Sequence, residues 1–551
     1  MAQTNLGGEN YDGFESLLTK EEVIRDPVHK DIWVTELEKD ILDDERFQRL
    51  KRIRQLGTAH FVYPGANHTR FEHSLGTLYM AQQIIDSVNK KHNSGGTYFS
   101  CYTEIKIPPE DIFITRLVAL MHDIDHLPYG HTLEDKGQIF TNSQWTDKDR
   151  GFLFDHFFNI IDKHMKDENI PKDKREEISK IINDTLKAEE KGEEAIESLD
   201  RPYIADIVGN TICADLLDYV QRDAYYIGLD VGVDSRIMSH FILVNYNKDP
   251  RLGIAIEKGN GKLIRSVVSD CIDLLKTRYS LAEKAHWNDT KIRFSAMVIR
   301  SVYCAIETEI IDKEDLLELD DDALIQRIIK SSKSESKVDE EPYYSEAAYR
   351  LADALRNRRK YVELWSNNEE KASLQEGINP EKRDKFSRAL EETVDATPGS
   401  VVVYAPPKDT GKAAEAKMIR RGDGEKLENI IENQEVGHKQ KEFKAINEGF
   451  EELWQLYVLV DEKEFDQVLD NEIIIGKLED SIKKWLINDD PKELIRTRRY
   501  ILDDQGEDVI AETDLPGVYD EIEMTTAPSD HPDTFIHGMI DPLLYDGDEG
   551  E

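Results

Sequence analysis

Four side chains able to ligate a metal, His73, His122, Asp123 and Asp215, each lie in a sharply written local motif. His73 falls in TRFEHSLG (69–76), the adjacent His122 and Asp123 in LMHDIDHLPYGH (120–131), and Asp215 in ICADLLDYVQRDAYY (212–226). Two neutral imidazoles and two carboxylates form a mixed nitrogen and oxygen set that suits manganese, iron, magnesium or zinc. On a six-coordinate ion they leave two positions, which water and a phosphate oxygen can fill. The ion would lower the pKa of that water and polarise phosphorus, so phosphate ester hydrolysis becomes feasible near neutral pH. A single His-Asp dipeptide also caps helix ends or sits satisfied in a core, so it says little. Four donors in three motifs say much more.

The order His, His-Asp, Asp is the HD signature, and further motifs surround it: DPVH (26–29), FQRLKRIRQLG (47–57), VYPGANHTRFEHSLG (62–76), HDIDHLPYGH (122–131), DLLDYVQRDAYYIG (215–228) and TRYSL (277–281). With these, residues 26–291 resemble the HD-domain deoxynucleoside triphosphate triphosphohydrolases, the family of bacterial dGTPases and of the SAM-and-HD-domain protein of animal cells. The resemblance implies one divalent metal per site on His73, His122, Asp123 and Asp215, and proton transfer by His126 and Glu134. It places Arg70 and Arg278 on the triphosphate, which suits the planar guanidinium fork. Gln55 and Leu56 would pack on the deoxyribose, and Tyr219 and Asp223 would meet the sugar edge. The implied reaction releases the whole triphosphate and leaves a deoxynucleoside, lowering dNTP pools in nucleotide homeostasis or in defence against phage. In allosteric animal members the stretch equivalent to RLKRIR (49–54) binds an activating nucleotide at a subunit interface, and Asp43, Gln48 and Lys51 partly match it. That implies a homo-oligomer, dimer to hexamer, with a second nucleotide as activator. The other reading of RLKRIR is a solvated helix face.

The chain departs from the family at several positions. Leu216 stands where animal members have a phosphate-binding Lys, Asp147 where a second catalytic His is expected, Asp125 where HDxGH has Gly, and His286 and Asn288 where Tyr and His are frequent. Two alternatives therefore stay open: a phosphohydrolase or phosphodiesterase for another nucleotide, and a nucleotide-sensing regulatory subunit with gated or weak catalysis. His29, His68 and His131 lie inside matching motifs, with ligand contact and structural hydrogen bonding equally open.

The elements that must position these groups are read from apolar periodicity. Residues 75–88, 112–121, 204–220 and 267–281 repeat at three- and four-residue spacing, which predicts core helices and a mainly α fold, an HD helical bundle with a mixed α/β C-terminal region. The charged run 163–200 reads as an exposed helical hairpin or lid, and 330–341 as a linker. Residues 344–365 read as a helix leading into a strand, 400–405 as a strand, and 443–460 as helical. The domain division is an N-terminal extension (1–25), the HD core (26–330), an accessory region (331–500) and an acidic tail (501–551) without Lys or Arg. Such a tail reads as disordered, its apolar patches near 519 and 535–545 able to dock on a protein partner.

The formal net charge of -41 argues against long nucleic acid as the main partner. A small anionic substrate needs only a local positive pocket, for which Arg70, Arg222, Arg278 and Lys284 are available. The first residues lack a basic region followed by an apolar run, and no stretch approaches about 18 apolar residues, so neither secretion nor a membrane span is expected. The four separated cysteines form no C-x-x-C pair, which reads as a reducing cytoplasm.

Overall fold

The helix that carries His73 begins where its motif supplies the cap. In TRFE the Thr69 amide donates to the Glu72 carboxylate at 2.7 Å, half of a capping box, and α1 runs from there over Arg70–Asn93. The computed structural model describes residues 13–93, 105–134, 147–209, 212–230, 235–246, 249–256, 263–332, 342–367, 379–406, 417–422, 424–429 and 438–488. Before α1 lies an antiparallel hairpin, β1 (Lys20–Asp26) and β2 (Lys30–Thr35). Asp26 closes its turn by accepting the Val28 and His29 amides at 2.9 and 2.7 Å.

After α1 come α2 (Pro109–Met121), α3 (Asp147–Asp167), α4 (Lys172–Lys191), α5 (Pro202–Gly209), α6 (Ala214–Ile227), α7 (Arg265–Leu281) and α8 (Asp289–Glu307). α1 packs on α2 and α6, and α5 on α2. Leu75, Leu78, Leu117, Leu120, Ile204, Ile207, Leu217 and Val220 are buried between them, each stabilising by about 1.5–3 kcal/mol. The mainly α bundle is as expected, with local differences. Residues 204–220 form two helices, not one, and Cys213 caps the second by accepting the Leu216 amide. Asp215 therefore lies in a first helical turn rather than mid-helix. The run 163–200 is helical but is no exposed lid, because Ile178, Ile182 and Leu186 are buried in the shared core and Lys174 pairs with Glu110 of α2 at 2.8 Å.

Further along lie α9 (Asp321–Ser331), α10 (Pro342–Arg356), β5 (Tyr361–Asn367), α11 (Pro380–Thr393), β6 (Val401–Tyr404), α12 (His438–Glu452), β7 (Leu456–Asp461) and α13 (Glu472–Asn488). The helix-then-strand reading of 344–365 holds, and so does the strand in 400–405. Residues 443–460 are only partly helical: β7 is the middle strand of an antiparallel sheet ordered β5-β7-β6, its Val458 and Val460 wholly buried. A four-stranded sheet holds the hairpin of β3 (Phe241–Tyr246) and β4 (Asp249–Ala255) beside the hairpin Lys417–Gly422 and Gly424–Asn429. α10 packs on α8, where the buried Arg300 reaches Glu391 of α11 at 2.6 Å. α12 lies on α7 through Lys276–Glu442 at 2.6 Å and the edge-on rings of Tyr279 and Phe450. The helix bearing Arg278 is thus braced by the C-terminal half. Residues 333–341, most of the expected linker, and the acidic tail lie outside the described residues. Among the described residues no helix is long and apolar enough to cross a membrane.

RLKRIR is not a solvated helix face. Residues Arg49–Arg52 make a 3-10 turn, and the buried Arg49 donates to the carbonyls of His126, Leu316 and Leu319 at 2.9, 3.1 and 2.9 Å. Arg52 pairs with Asp320 at 2.7 Å. Asp321, with no exposed surface, accepts the Tyr129 amide at 2.7 Å, the Arg54 amide at 3.0 Å and the Arg54 guanidinium at 3.2 Å. These bonds strap down the turn after His126, where Tyr129 and Gly130 both have positive φ, 60° and 48°. Burial pushes the Asp321 carboxyl up to about 6, against the pull of the Arg54 and Tyr129 hydrogen bonds. A folded-state pKa above the ordinary carboxylate value means the folded state binds the extra proton, so this group makes stability fall as pH rises from roughly 4 to 6. Asp321→Asn should remove that slope. Urea unfolding of both proteins at about pH 4.5 and 7 measures it, and a variant that keeps the wild-type difference refutes the assignment.

Candidate active site

His73 is the fourth residue of α1 and points into the core at 1% exposure. On α6, Asp215, Asp218, Tyr219, Arg222 and Asp223 recur at three- and four-residue spacing along one face, which brings two carboxylates against the His73 ring. Asp215 Oδ1 lies 3.0 Å from Nε2 and Asp218 Oδ2 2.7 Å from Nδ1. The approach requires glycine at position 76, because a Cβ there would lie 1.8 Å from Asp218 Oδ1. His122 ends α2 and uses its Nδ1 on the Ala119 carbonyl at 2.9 Å, one of the orphan acceptors of a helix end. That bond fixes the tautomer, with the proton on Nδ1. Nε2 is then an acceptor, buried with no hydrogen-bond partner among the described residues, 3.9 Å from Asp215 and 3.5 Å from Asp123.

The structure thus brings His73, His122, Asp123 and Asp215 together, and donor atoms of the first three lie within 4.8 Å of one another. The set fits a divalent cation. Both imidazoles are oriented through Nδ1, by a carboxylate and by a carbonyl, and both turn Nε2 toward the same two carboxylates, as metal-bound histidines do. Burial works against a proton on His73, yet its hydrogen bonds with Asp215 and Asp218 hold it up to about 10, a measure of the negative charge around that ring. Asp215, its side chain 34% exposed, marks the side open to solvent.

Asp123 links this set to a second one. Its Oδ2 accepts from Arg70 at 2.7 Å and its Oδ1 faces His126 Nε2 at 2.9 Å. The other ring nitrogen of His126 meets both Glu134 oxygens at 2.9 and 2.8 Å, and Glu134 Oε1 is pinned by the Leu127 amide at 2.7 Å. Burial and Arg70 depress the His126 proton affinity, but Glu134 and Asp123 outweigh them and hold it at about 10. His131 stands beside the pair, its Nδ1 3.6 Å from Glu134.

The remaining expected positions are mixed. Tyr219 feels the charges of Arg278 and Asp215, and Arg278 is half-buried on α7, which packs on α6. Arg70 is 2% exposed, engaged with Asp123, its Nε buried without a partner among the described residues. Asp223 is buried and bonded to His68 Nε2 at 2.7 Å. The Gln55 amide donates to the His68 carbonyl at 3.0 Å, and Leu56 is 4% exposed in a small cluster with Ala59 and Ala66. Arg222 does not serve a positive pocket: it is wholly buried, held by both oxygens of Asp218 at 2.9 Å and by Asp26 at 2.8 Å. Leu216 is 3% exposed in the core. Asp147 opens α3, but its side chain lies outside those described. Asp43 and Lys51 are exposed and Gln48 half-buried on their own segment, with Lys51 Nζ 4.3 Å from the Phe71 ring centre.

Asp218 is the residue that sequence reasoning missed. It also accepts from His29 at 2.6 Å, so DPVH, Asp218 and Arg222 form one network behind His73. The signal was its position, three residues after one acid and four before an arginine on a helix.

Residues 70–223 match the HD domain family. An uncharacterized protein of Methanocaldococcus jannaschii is 31% identical over 306 residues, 55% of this chain and 54% of that protein. The protein named deoxynucleoside triphosphate triphosphohydrolase SAMHD1 homolog in Dictyostelium discoideum is 26% identical over 62% of this chain and 59% of its own length. Deoxynucleoside triphosphate triphosphohydrolase SAMHD1 of Homo sapiens is 28% identical over 48% and 41%. The chain spans about half the length of the curated relatives it matches. A solved structure of a phosphohydrolase from Bacteroides thetaiotaomicron superposes with a TM-score of 0.53 at 18% identity, over 80% of this chain and 100% of that one, which shows the shared fold.

The network behind His73 makes a prediction separable from the donors themselves. Asp218→Asn keeps all four proposed ligands but weakens the acceptor that orients His73, so metal affinity should fall by about 10–100-fold. Chelator competition measures this. Unchanged affinity would remove Asp218 from the site.

Proposed function

We propose that this chain, which carries an HD domain and is related over about half its length to SAMHD1-type proteins, is a metal-dependent phosphohydrolase that cleaves deoxynucleoside triphosphates to deoxynucleoside and triphosphate. The observation that carries the reading is the junction at Asp123, where the four-donor cluster meets a His126–Glu134 pair suited to proton transfer. A divalent ion on His73, His122, Asp123 and Asp215 would polarise the α-phosphoryl group and acidify the attacking water. Manganese, iron, magnesium and zinc all fit this donor set.

The protein's own groups do the rest. Asp218 and the Ala119 carbonyl hold the two imidazoles in the ligating tautomer. Water attacks the α-phosphorus and the bond to the 5′-oxygen breaks; His126, steadied by Glu134, hands that oxygen its proton. Arg278 meets triphosphate charge, while Arg70 is spent on Asp123 and steadies that carboxylate. Tyr219 and Asp223 take the sugar edge, with Gln55 and Leu56 at the deoxyribose. The second reading, hydrolysis of a different nucleotide, is favoured by the buried Leu216, which leaves no cation where animal members have Lys. Regulation belongs to the same proposal: exposed Asp43 and Lys51, with Gln48, would take an activating nucleotide in a homo-oligomer.

Two outcomes test this. Metal-loaded protein given each dNTP and NTP, singly and in pairs, should release triphosphate from dNTPs, with pairs faster than single nucleotides; inorganic phosphate or monophosphate supports the second reading. His126→Ala should lower turnover at least about 10²-fold with metal still bound, and a loss under about threefold would place the acid elsewhere.

A further inference from the structure

The turn after Asp123 carries a second set of metal-ligating atoms. One donor each from His126, His131 and Glu134 lie within 4.8 Å of one another. His126 Nδ1 is 2.8 Å and His131 Nδ1 3.6 Å from Glu134 Oε2, and the two rings stand edge to face with centroids 4.8 Å apart. A tetrahedral zinc ion with bonds of about 2.0–2.1 Å needs donors about 3.4 Å apart, and these separations bracket that value.

Two of the three donors are fixed in advance. Glu134 is 4% exposed and held by the Leu127 amide, while Asp123 fixes the His126 ring through Nε2 and Arg49 holds the His126 carbonyl. A carboxylate on one imidazole nitrogen with the other turned toward further donors is the arrangement that orients metal-bound histidine. The third donor, His131, has a side chain 56% exposed and gives an ion access from solvent.

We infer that His126, His131 and Glu134 form a second divalent-cation site, selective for zinc-like ions and joined through Asp123 to the four-donor cluster. Two imidazoles and one carboxylate, with a fourth position left to water, match zinc better than magnesium, which prefers six oxygens. An ion there occupies the lone pairs that His126 and Glu134 use for the proton, so it inhibits turnover; that consequence rests on the proposed function, while the binding does not.

The test uses the full chain loaded with manganese. Equilibrium dialysis against zinc, followed by elemental analysis, should raise total metal from one to two equivalents per chain, and turnover should fall as the second fills. His131→Ala, a change at an exposed ring, should stop at one equivalent and raise the half-inhibiting zinc concentration by at least tenfold. A wild type that exchanges manganese for zinc but stays at one equivalent, or a variant that binds the second equivalent as tightly, overturns the site. A second equivalent that depends on His131 but leaves turnover unchanged supports the site and overturns the assignment of the proton to His126 and Glu134.

Discussion

One fully buried carboxylate, Asp218, holds the site together. It takes His73 on one oxygen, His29 on the other and Arg222 on both. Burial alone would favour its neutral form, but Arg222 and the two imidazoles keep it well below the usual carboxylate range. A charge this deep is tolerated only because every lone pair is engaged, and loss of one partner from such a set typically costs about 3–5 kcal/mol. Arg222 reaches on to Asp26, which also closes the N-terminal hairpin turn. A hairpin that looks peripheral is thus part of what aims His73.

Asp123 does for chemistry what Asp218 does for structure. It stands between the four-donor cluster, Arg70 and His126, so charge changes at any of these are felt by the others. Its turn is irregular, with two successive residues at positive φ, and irregular backbone holds its shape only where neighbours over-determine it. Those neighbours come from far along the chain: Arg49 bonds the His126 carbonyl and Asp321 the Tyr129 amide. The four-donor cluster and the His126–Glu134 pair thus rest on different supports but meet at Asp123.

What was legible in the sequence followed from how local each determinant is. The four candidate metal donors lie in motifs that give their residue types, and for His73 the cap, Thr69 with Glu72, is written beside it, so its placement could be read as well. Asp218 was not singled out because it touches His73 rather than the proposed ion. RLKRIR looked like a solvated charged face because the carbonyls that bind Arg49 belong to residues 316 and 319. Residues 456–460 continued the apolar content of a helix, and only the distant strands β5 and β6 make them a sheet centre. The break between α5 and α6 hid within one apolar period, although it decides that Asp215 sits in a first turn.

Charge also changes meaning once the fold is known. A net charge of -41 makes any anionic substrate dependent on local compensation. Of the four basic residues expected to supply it, Arg222 is consumed by Asp218 and Asp26, and Arg70 is buried against Asp123. Arg278 and Lys284 remain toward the surface, and Leu216 adds nothing. A triphosphate carries more negative charge than these two cations balance. Under the proposed function, binding as well as bond cleavage would then lean on divalent ions, both at the four-donor cluster and with the nucleotide. The donors around Asp123 would serve affinity as much as chemistry, and the orientation imposed by Asp218 would reach beyond the ring it holds.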